Sequence, residues 1–445
     1  MKILRYALGI LTLLLCFPLS SHAQLNITGF VRNYNALLTQ PDHELITGRN
    51  RLRMDFAHSF SKGEIAVSND IQNIYTQSAD SIQYQLREAY VDLYFKSSDL
   101  RIGKQIISWG RAEGTFISDI LTPVDITEFL TQDFADLRLG IPAIKYTHYF
   151  GSDYLQLVLN PASRPNKLPS LDNRWFPQLP FSTSIPINIQ PSTKEPKLKN
   201  MQLAGRYAFR SNLDYDLDLG LLYWHYPTPR YSKSLQTQLS GVQLNLRKKY
   251  TQNFIATYSG SLNLTDRLIL TSESTYHNNR LVDYFPEDLR SLDLQNPAPA
   301  ELLQIGQIFS QNEDGFLKER PWLVSMLGLQ YNRWGITAKA QLINEHIFNY
   351  DPTVLQEQNF VYTTLSLRRS FFRDTLQLLA FSRYNFSGHD FWFNPELTYT
   401  GIDAVEFTAG THLFGAQDPG SFYGHLTYNS FAQNSFAYLS ISAYF

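Results

Sequence analysis

The chain has 445 residues, 43% hydrophobic, 14% aromatic and 18% charged, and 38 Lys+Arg against 40 Asp+Glu leave a formal charge of −2. A nucleic-acid binder carries a basic excess or stripe and a disordered chain is poor in rings, so balanced charge with 27 Tyr and 30 Phe excludes both classes. Mean hydropathy is nevertheless −0.26, polar on average in a chain rich in rings.

In chain order, residues 1–23 read as a secretory signal peptide: Lys2 and Arg5 head an apolar run reaching Leu19, and Ser21-His22-Ala23 supplies a small-x-small cleavage signal. Cys16 lies inside it, after Leu15 where a lipoprotein needs a small residue, so a mature chain from Gln24 has no disulfide, thiolate metal site or thiol chemistry. No later stretch approaches the ~20 apolar residues of a membrane-spanning helix. The choice is a soluble secreted β protein or a membrane β-barrel, because only helices and closed barrels satisfy their backbone groups in lipid.

From Leu25 onward, segments of about ten residues alternate apolar and polar side chains, the period of a two-faced strand. Leu52, Met54 and Phe56 alternate with Arg49, Arg51, Arg53 and Asp55; Leu217, Leu219 and Leu221 oppose Asp214, Asp216 and Asp218; Leu439, Ile441, Ala443 and Phe445 oppose Tyr438, Ser440, Ser442 and Tyr444. Of 21 prolines only Pro395 falls inside a proposed strand, with Pro142 and Pro321 at strand starts. Short connections near 60–63, 96–99, 150–153, 210–214, 264–267, 332–336, 371–374 and 400–403 alternate with longer ones, the asymmetry of an outer-membrane barrel with short periplasmic turns and long extracellular loops. This parity predicts an all-β fold: one transmembrane antiparallel β-barrel domain over 24–445 with about 18 strands, in the bacterial outer membrane. Residues 235–249 and 421–431 then belong to outer loops or strand extensions, and 161–198 and 279–320 are long extracellular loops, the first carrying eight prolines with Trp175, Phe176 and Phe181. A soluble β-sandwich is the competing fold.

The outward face reads as lipid contact through Leu262, Leu264, Leu268, Leu270, Leu365, Leu367, Leu376, Leu378, Val405 and Phe407. Rings near segment ends, among them Tyr94, Phe95, Trp109, Tyr207, Trp224, Trp334 and Phe372, read as interfacial girdles. The inward face is polar and needs water. Its candidate lumen and selectivity residues are Arg49, Arg51, Arg53, Asp55, Arg87, Asp92, Lys145, Arg206, Asp214, Asp216, Asp218 and Arg368; they either set a transverse field on a solute or pair across neighbouring strands.

Residues 110–140 are long for a connection and carry six acids against Arg111 and Arg138. They read as an inward-folded constriction loop, as a structural loop held by Arg111 and Arg138 pairing with Asp119 or Asp125, or as a calcium site of irregular spacing. The stretch reads Arg101-Ile102-Gly103-Lys104-Gln105, Trp109-Gly110-Arg111, Ser118-Asp119, Pro123, Asp125 and Arg138-Leu139-Gly140-Ile141-Pro142-Ala143. This progression resembles the alginate-export-type superfamily of outer-membrane barrels, in an uncharacterised porin-like branch, over about fifty residues; beyond them only the barrel and the final strand from Asn434 to Leu439 match. The resemblance implies an eighteen-stranded monomeric channel for a polymer, lipid or other amphiphile. The alginate exporter's lumen is strongly cationic, and the mixed charges here depart from it.

The expected function is therefore a porin or channel moving a saccharide, lipid or other amphiphile through a water-filled lumen. An adhesin or scaffold binding through its loops is the alternative, and a barrel hydrolase is disfavoured by ten scattered histidines. The expectation includes no catalytic residue, metal or cofactor. Expected partners are outer-membrane lipid, the barrel-assembly machinery at the strand ending in Phe445, and a periplasmic or inner-membrane transport protein, with no nucleic acid.

Overall fold

The computed structural model describes residues 25–76, 81–162, 164–176, 186–190, 201–210, 215–238, 241–293, 297–416, 425 and 427–445. Residues 1–23, which the sequence suggests are a signal peptide, lie outside them, as do Asp214 and Phe181. In chain order the strands are β1 (Leu25–Leu38), β2 (Leu45–Phe60), β3 (Gly63–Ile74), β4 (Ser81–Tyr94), β5 (Ser98–Gln105), β6 (Ile141–Phe150), β7 (Asp153–Asn160), β8 (Ile187–Gln190), β9 (Gln202–Arg210) and β10 (Tyr215–His225). They continue with β11 (Arg230–Gln238), β12 (Gly241–Lys249), β13 (Gln252–Thr265), β14 (Leu268–Asp283), β15 (Leu317–Arg333), β16 (Ile336–Ile347) and β17 (Asn359–Phe371). The last four are β18 (Leu376–Asn385), β19 (Asp390–Ile402), β20 (Val405–Ala416) and β21 (Phe436–Tyr444).

Eighteen of these form one antiparallel sheet in which each strand pairs with the next of the eighteen in chain order, β7 with β9 and β10 with β13 where the others intervene. The sheet closes where β1 pairs with β21, from Phe30 opposite Tyr444 to Leu38 opposite Phe436. Closure removes the free edges that an open sheet exposes. The short connections fall at one end, where the sequence places them. At 334–335 Trp334 and Gly335 have φ of 53° and 71°, the two-residue hairpin turn whose twist matches that of its strands. The longer connections lie at the opposite, outer end.

The alternation becomes two faces. Leu219, Leu221, Leu365, Leu367, Leu439 and Ile441 are exposed on the outside, while Arg49, Arg51, Asp70, Glu273 and Arg383 are buried inside. Residues 235–249 do not span: β11 and β12 form a hairpin that joins β8 in a separate three-stranded sheet.

Three expectations are corrected. Trp109 and Trp224 are not girdle residues but are buried in one cluster with Ile107, Ile120, Leu121, Val158 and Leu222, because the segment after β5 turns an apolar face to the inner wall. The 279–320 connection is shorter and partly helical: β14 extends to Asp283, β15 begins at Leu317, and helices occupy Glu287–Arg290 and Pro299–Gln311 between them. The second helix has Pro299 in its first turn and Glu301 bonding back to the Ala298 N–H at 2.7 Å, an N-terminal signal that strand alternation does not reveal. Pro321 lies within β15 rather than at its start.

The exposed leucine belt yields a first prediction. Leu365→Arg is expected to lower barrel stability in lipid vesicles by about 2–4 kcal/mol, the cost of a cation near a bilayer midplane, whereas Leu365→Phe leaves it nearly unchanged; denaturant unfolding in vesicles measures both.

Candidate functional site

Between Gln105 and Ile141 the chain leaves the wall and crosses the barrel interior, touching both sides. Its first anchor is the Glu273 carboxylate on β14, fully buried, which accepts from the backbone N–H of Arg111 at 2.6 Å, Ala112 at 2.9 Å and Ser118 at 2.8 Å, and from the Ser118 hydroxyl at 2.6 Å. Gly110 makes this possible. Its φ is 98°, and a Cβ there would sit 2.5 Å from Glu273 Oε1 and 2.6 Å from Ser118 Oγ, so no side chain fits between the carboxylate and its donors. Further along, Gly114 at φ 72° packs so closely on the Phe381 ring that a Cβ would overlap it. Glu113 bridges to Arg368 on β17 at 2.6 Å, and the Glu113 N–H donates to Gln341 on β16 at 3.0 Å.

The far half docks on the opposite wall. Asp136 meets Arg51 at 2.7 Å and Arg53 at 2.8 Å; Asp70 on β3 meets the same two arginines at 2.6 and 2.9 Å, with Arg87 3.5 Å from Asp136 and 3.6 Å from Asp70. Burial alone would raise the Asp136 carboxyl, but the surrounding Arg51, Arg53 and Arg87 hold it down at about 2. Glu128 reaches Arg49 at 2.8 Å, and Asp133 pairs with Arg32. Above this ionic seam Phe129, with φ 48°, packs its ring against Phe431 at 4.7 Å and Trp175 at 5.5 Å. Phe129 thereby joins a cluster with Trp392, Phe414, Tyr428 and Phe436 that fills the interior near the outer end.

The expected loop pairs form in part. Arg138 holds Asp119, which also accepts from the Ser108 hydroxyl at 2.9 Å and the Trp109 N–H at 3.2 Å. Burial raises the Asp119 carboxyl even beside this arginine. Arg111 does not reach Asp119 or Asp125; it turns to β10, 3.5 Å from Asp216 and 3.4 Å from Asp218, and Arg210 joins Asp218 at 2.7 Å. Asp125 pairs instead with Lys167 at 2.9 Å and accepts from the Thr127 hydroxyl at 2.6 Å. Among the described residues no group of three or more His, Cys, Asp or Glu is placed to hold a metal ion.

Other lumen residues divide by environment. Asp92 accepts from Arg101 Nε and Nη2, each at 2.7 Å. Arg206 has no ion pair among the described residues but donates to the Tyr154 hydroxyl at 3.1 Å and lies 5.1 Å above the Trp109 ring. Asp55 and Lys145 face the lumen without an ion pair among the described residues; Lys145 lines a 390 Å³ recess near the short-turn end with Asp92, Arg101, Thr147, Tyr154 and Gln156. Sequence reasoning missed Arg32, Glu128, Asp133 and Asp136 as individual partners. Their signal was the loop's excess of acid set against an arginine ladder on the wall.

The chain belongs to the family described as "Protein of unknown function (DUF1302)", whose model matches residues 39–443. No curated protein matches the sequence. Its fold is similar to that of OccK8 (OprE) of Pseudomonas aeruginosa, at 9% identity and TM-score 0.55 over 95% of this chain and 98% of that one. It is also similar to OccAB3 of Acinetobacter baumannii, at 9% and 0.51 over 96% and 100%, and to OccD3 (OpdP) of P. aeruginosa, at 7% and 0.52 over 95% and 91%. At such identities the likeness is one of fold.

Two predictions follow from the seam. Asp136→Ala leaves three arginines around one buried carboxylate and is expected to weaken docking of the loop by about 3–5 kcal/mol, seen as faster proteolysis within residues 110–140. Because the Asp136 carboxyl is depressed from 3.8 to about 2, its contribution is complete above its ordinary value and disappears as pH falls toward the lower one. Loop protection in wild type should therefore persist to about pH 3 and fail near pH 2, whereas the Asp136→Asn variant should lose this acid-dependent step.

Proposed function

We propose that this protein is an outer-membrane channel that passes a solute through a water-filled lumen of mixed charge, with residues 110–140 as its constriction. The observation that carries the reading is the loop itself, tied through Glu273 to one wall and through Asp136 to the other, so that it narrows a closed barrel whose inner surface is polar. The resemblance to alginate-export-type barrels supports a transport role. The arginine ladder departs from a polyanion pore because Glu128, Asp136 and Asp70 answer Arg49, Arg51 and Arg53 directly. Such pairing removes the uncompensated field that strong ion selectivity requires. In this reading the signal peptide of residues 1–23 brings the chain to the periplasm, the assembly machinery receives the strand that ends in Phe445, the leucine belt contacts lipid, and a periplasmic or inner-membrane partner meets the short turns.

Planar bilayers test this. Wild type is expected to give discrete conductance steps and, in a salt gradient, a reversal potential far from ideal for either ion. A variant lacking residues 113–135, and independently Glu273→Gln, should raise the conductance of each step. Absence of steps would overturn the channel, and unchanged conductance in both variants would overturn the constriction.

A further inference from the structure

Outside the ionic seam, a polar pocket of 450 Å³ opens at the outer end between the β2–β3–β4 wall, the crossing loop and the segment around Trp175. Its volume lies within the ~300–1,000 Å³ range of small-molecule sites, yet its lining is dominated by amides and hydroxyls rather than by the apolar groups usual there. Gln72 and Gln83 stand directly opposite each other across β3 and β4, Gln85 follows two residues along the same face, and Gln132 approaches from the loop. None of these four amides hydrogen-bonds to the protein among the described residues.

The charges around them are already matched. Asp125 has Lys167 at 2.9 Å, Glu128 has Arg49 at 2.8 Å and Arg174 has Glu44 at 2.7 Å. An ionic ligand would therefore have to displace an existing pair to gain a partner. What the pocket leaves unused is neutral hydrogen-bonding capacity of both signs, because each glutamine offers two N–H donors and a carbonyl acceptor. The complementary solute is neutral and itself both donor and acceptor at closely spaced positions. A polyhydroxylated ring meets that description; a carboxylate, a phosphate or an acyl chain does not.

We propose that this pocket is a docking site for a neutral saccharide, held by Gln72, Gln83, Gln85 and Gln132 at the outer entrance to the constriction. The inference rests on the channel reading and names its solute class. Trp175, buried against Phe129 at 5.5 Å, is a wall of the pocket that keeps the loop in place and is not a stacking platform. Glu128 and Asp125 reach the pocket from the loop, so occupation of the site is coupled to the element that narrows the lumen.

The test uses the full chain in detergent micelles, titrated calorimetrically with maltotriose as neutral probe and a galacturonic acid trimer as acidic comparator. Saturable maltotriose binding is expected, tighter than that of the acidic trimer. The triple variant Gln72→Leu, Gln83→Leu, Gln85→Leu should weaken it about tenfold or more, since several hydrogen bonds are lost together. Gln83→Glu, at an exposed strand end, is a milder second variant that should also weaken it. Salt conductance of each variant in planar bilayers reports that the barrel is intact. No saturable binding by wild type, binding by both variants as tight as that of wild type, or tighter binding of the acidic trimer would overturn the site. Calorimetry does not depend on conduction, so a chain that binds maltotriose without giving conductance steps would sink the channel and spare the site, and a conducting chain that ignores maltotriose would do the reverse.

Discussion

A charge removed from water has to meet an opposite charge, and the interior of this barrel is arranged around that requirement. Arg49, Arg51 and Arg53 on β2 and Arg87 on β4 point inward to either side of β3, where alone they would repel one another at a cost that grows as water is excluded. Asp70 supplies one carboxylate from the wall itself; the crossing loop supplies Glu128 and Asp136. The loop is therefore a structural counter-ion. Such buried pairs contribute little net stability compared with an apolar substitute, but they fix register: Asp136 can sit between Arg51 and Arg53 in only one placement of the chain.

The other face of the same loop is apolar, and this explains why tryptophans that look interfacial in the sequence lie inside. Ile107, Trp109, Ile120 and Leu121 pack on inward-facing Ala143, Val158, Ala204, Leu222 and Ile255, so a sector of the inner wall is dry while the sector carrying the arginine ladder is ionic. Trp109 keeps its indole N–H satisfied by donating to Gln156 at 2.8 Å. With one flank greasy and one charged, the loop has a single way to lie across the lumen, and it leaves one polar recess beside its residues 125–132 near Gln85 and another near Lys145.

Legibility in the sequence follows the range of the interaction. Alternation, proline placement and turn residues are local, and they led to eighteen spanning strands and to the exclusion of 235–249 from the barrel, both of which the structure has. The helix Pro299–Gln311 falls in a stretch that reads as a loop, because its signals, a first-turn proline and the Glu301 cap, do not register as strand alternation. At the site, Arg138 with Asp119 was within reach, nineteen residues apart on one loop. Arg111 with Asp218 and Glu273 with the Arg111 N–H bring together residues 107 and 162 positions apart, and no local pattern links them.

By itself, then, the sequence determined the barrel, its strand parity, the polarity of its two faces and the presence of an acidic loop opposite a basic ladder, because each depends on residue period or composition over a few turns of chain. Only the tertiary structure decided that the loop crosses the lumen, which arginine meets which carboxylate, and which glutamines are left unengaged around a pocket. Those outcomes depend on closure of the sheet, which brings strands from opposite ends of the chain to face one enclosed space, where the cost of unpaired buried charge selects a single arrangement.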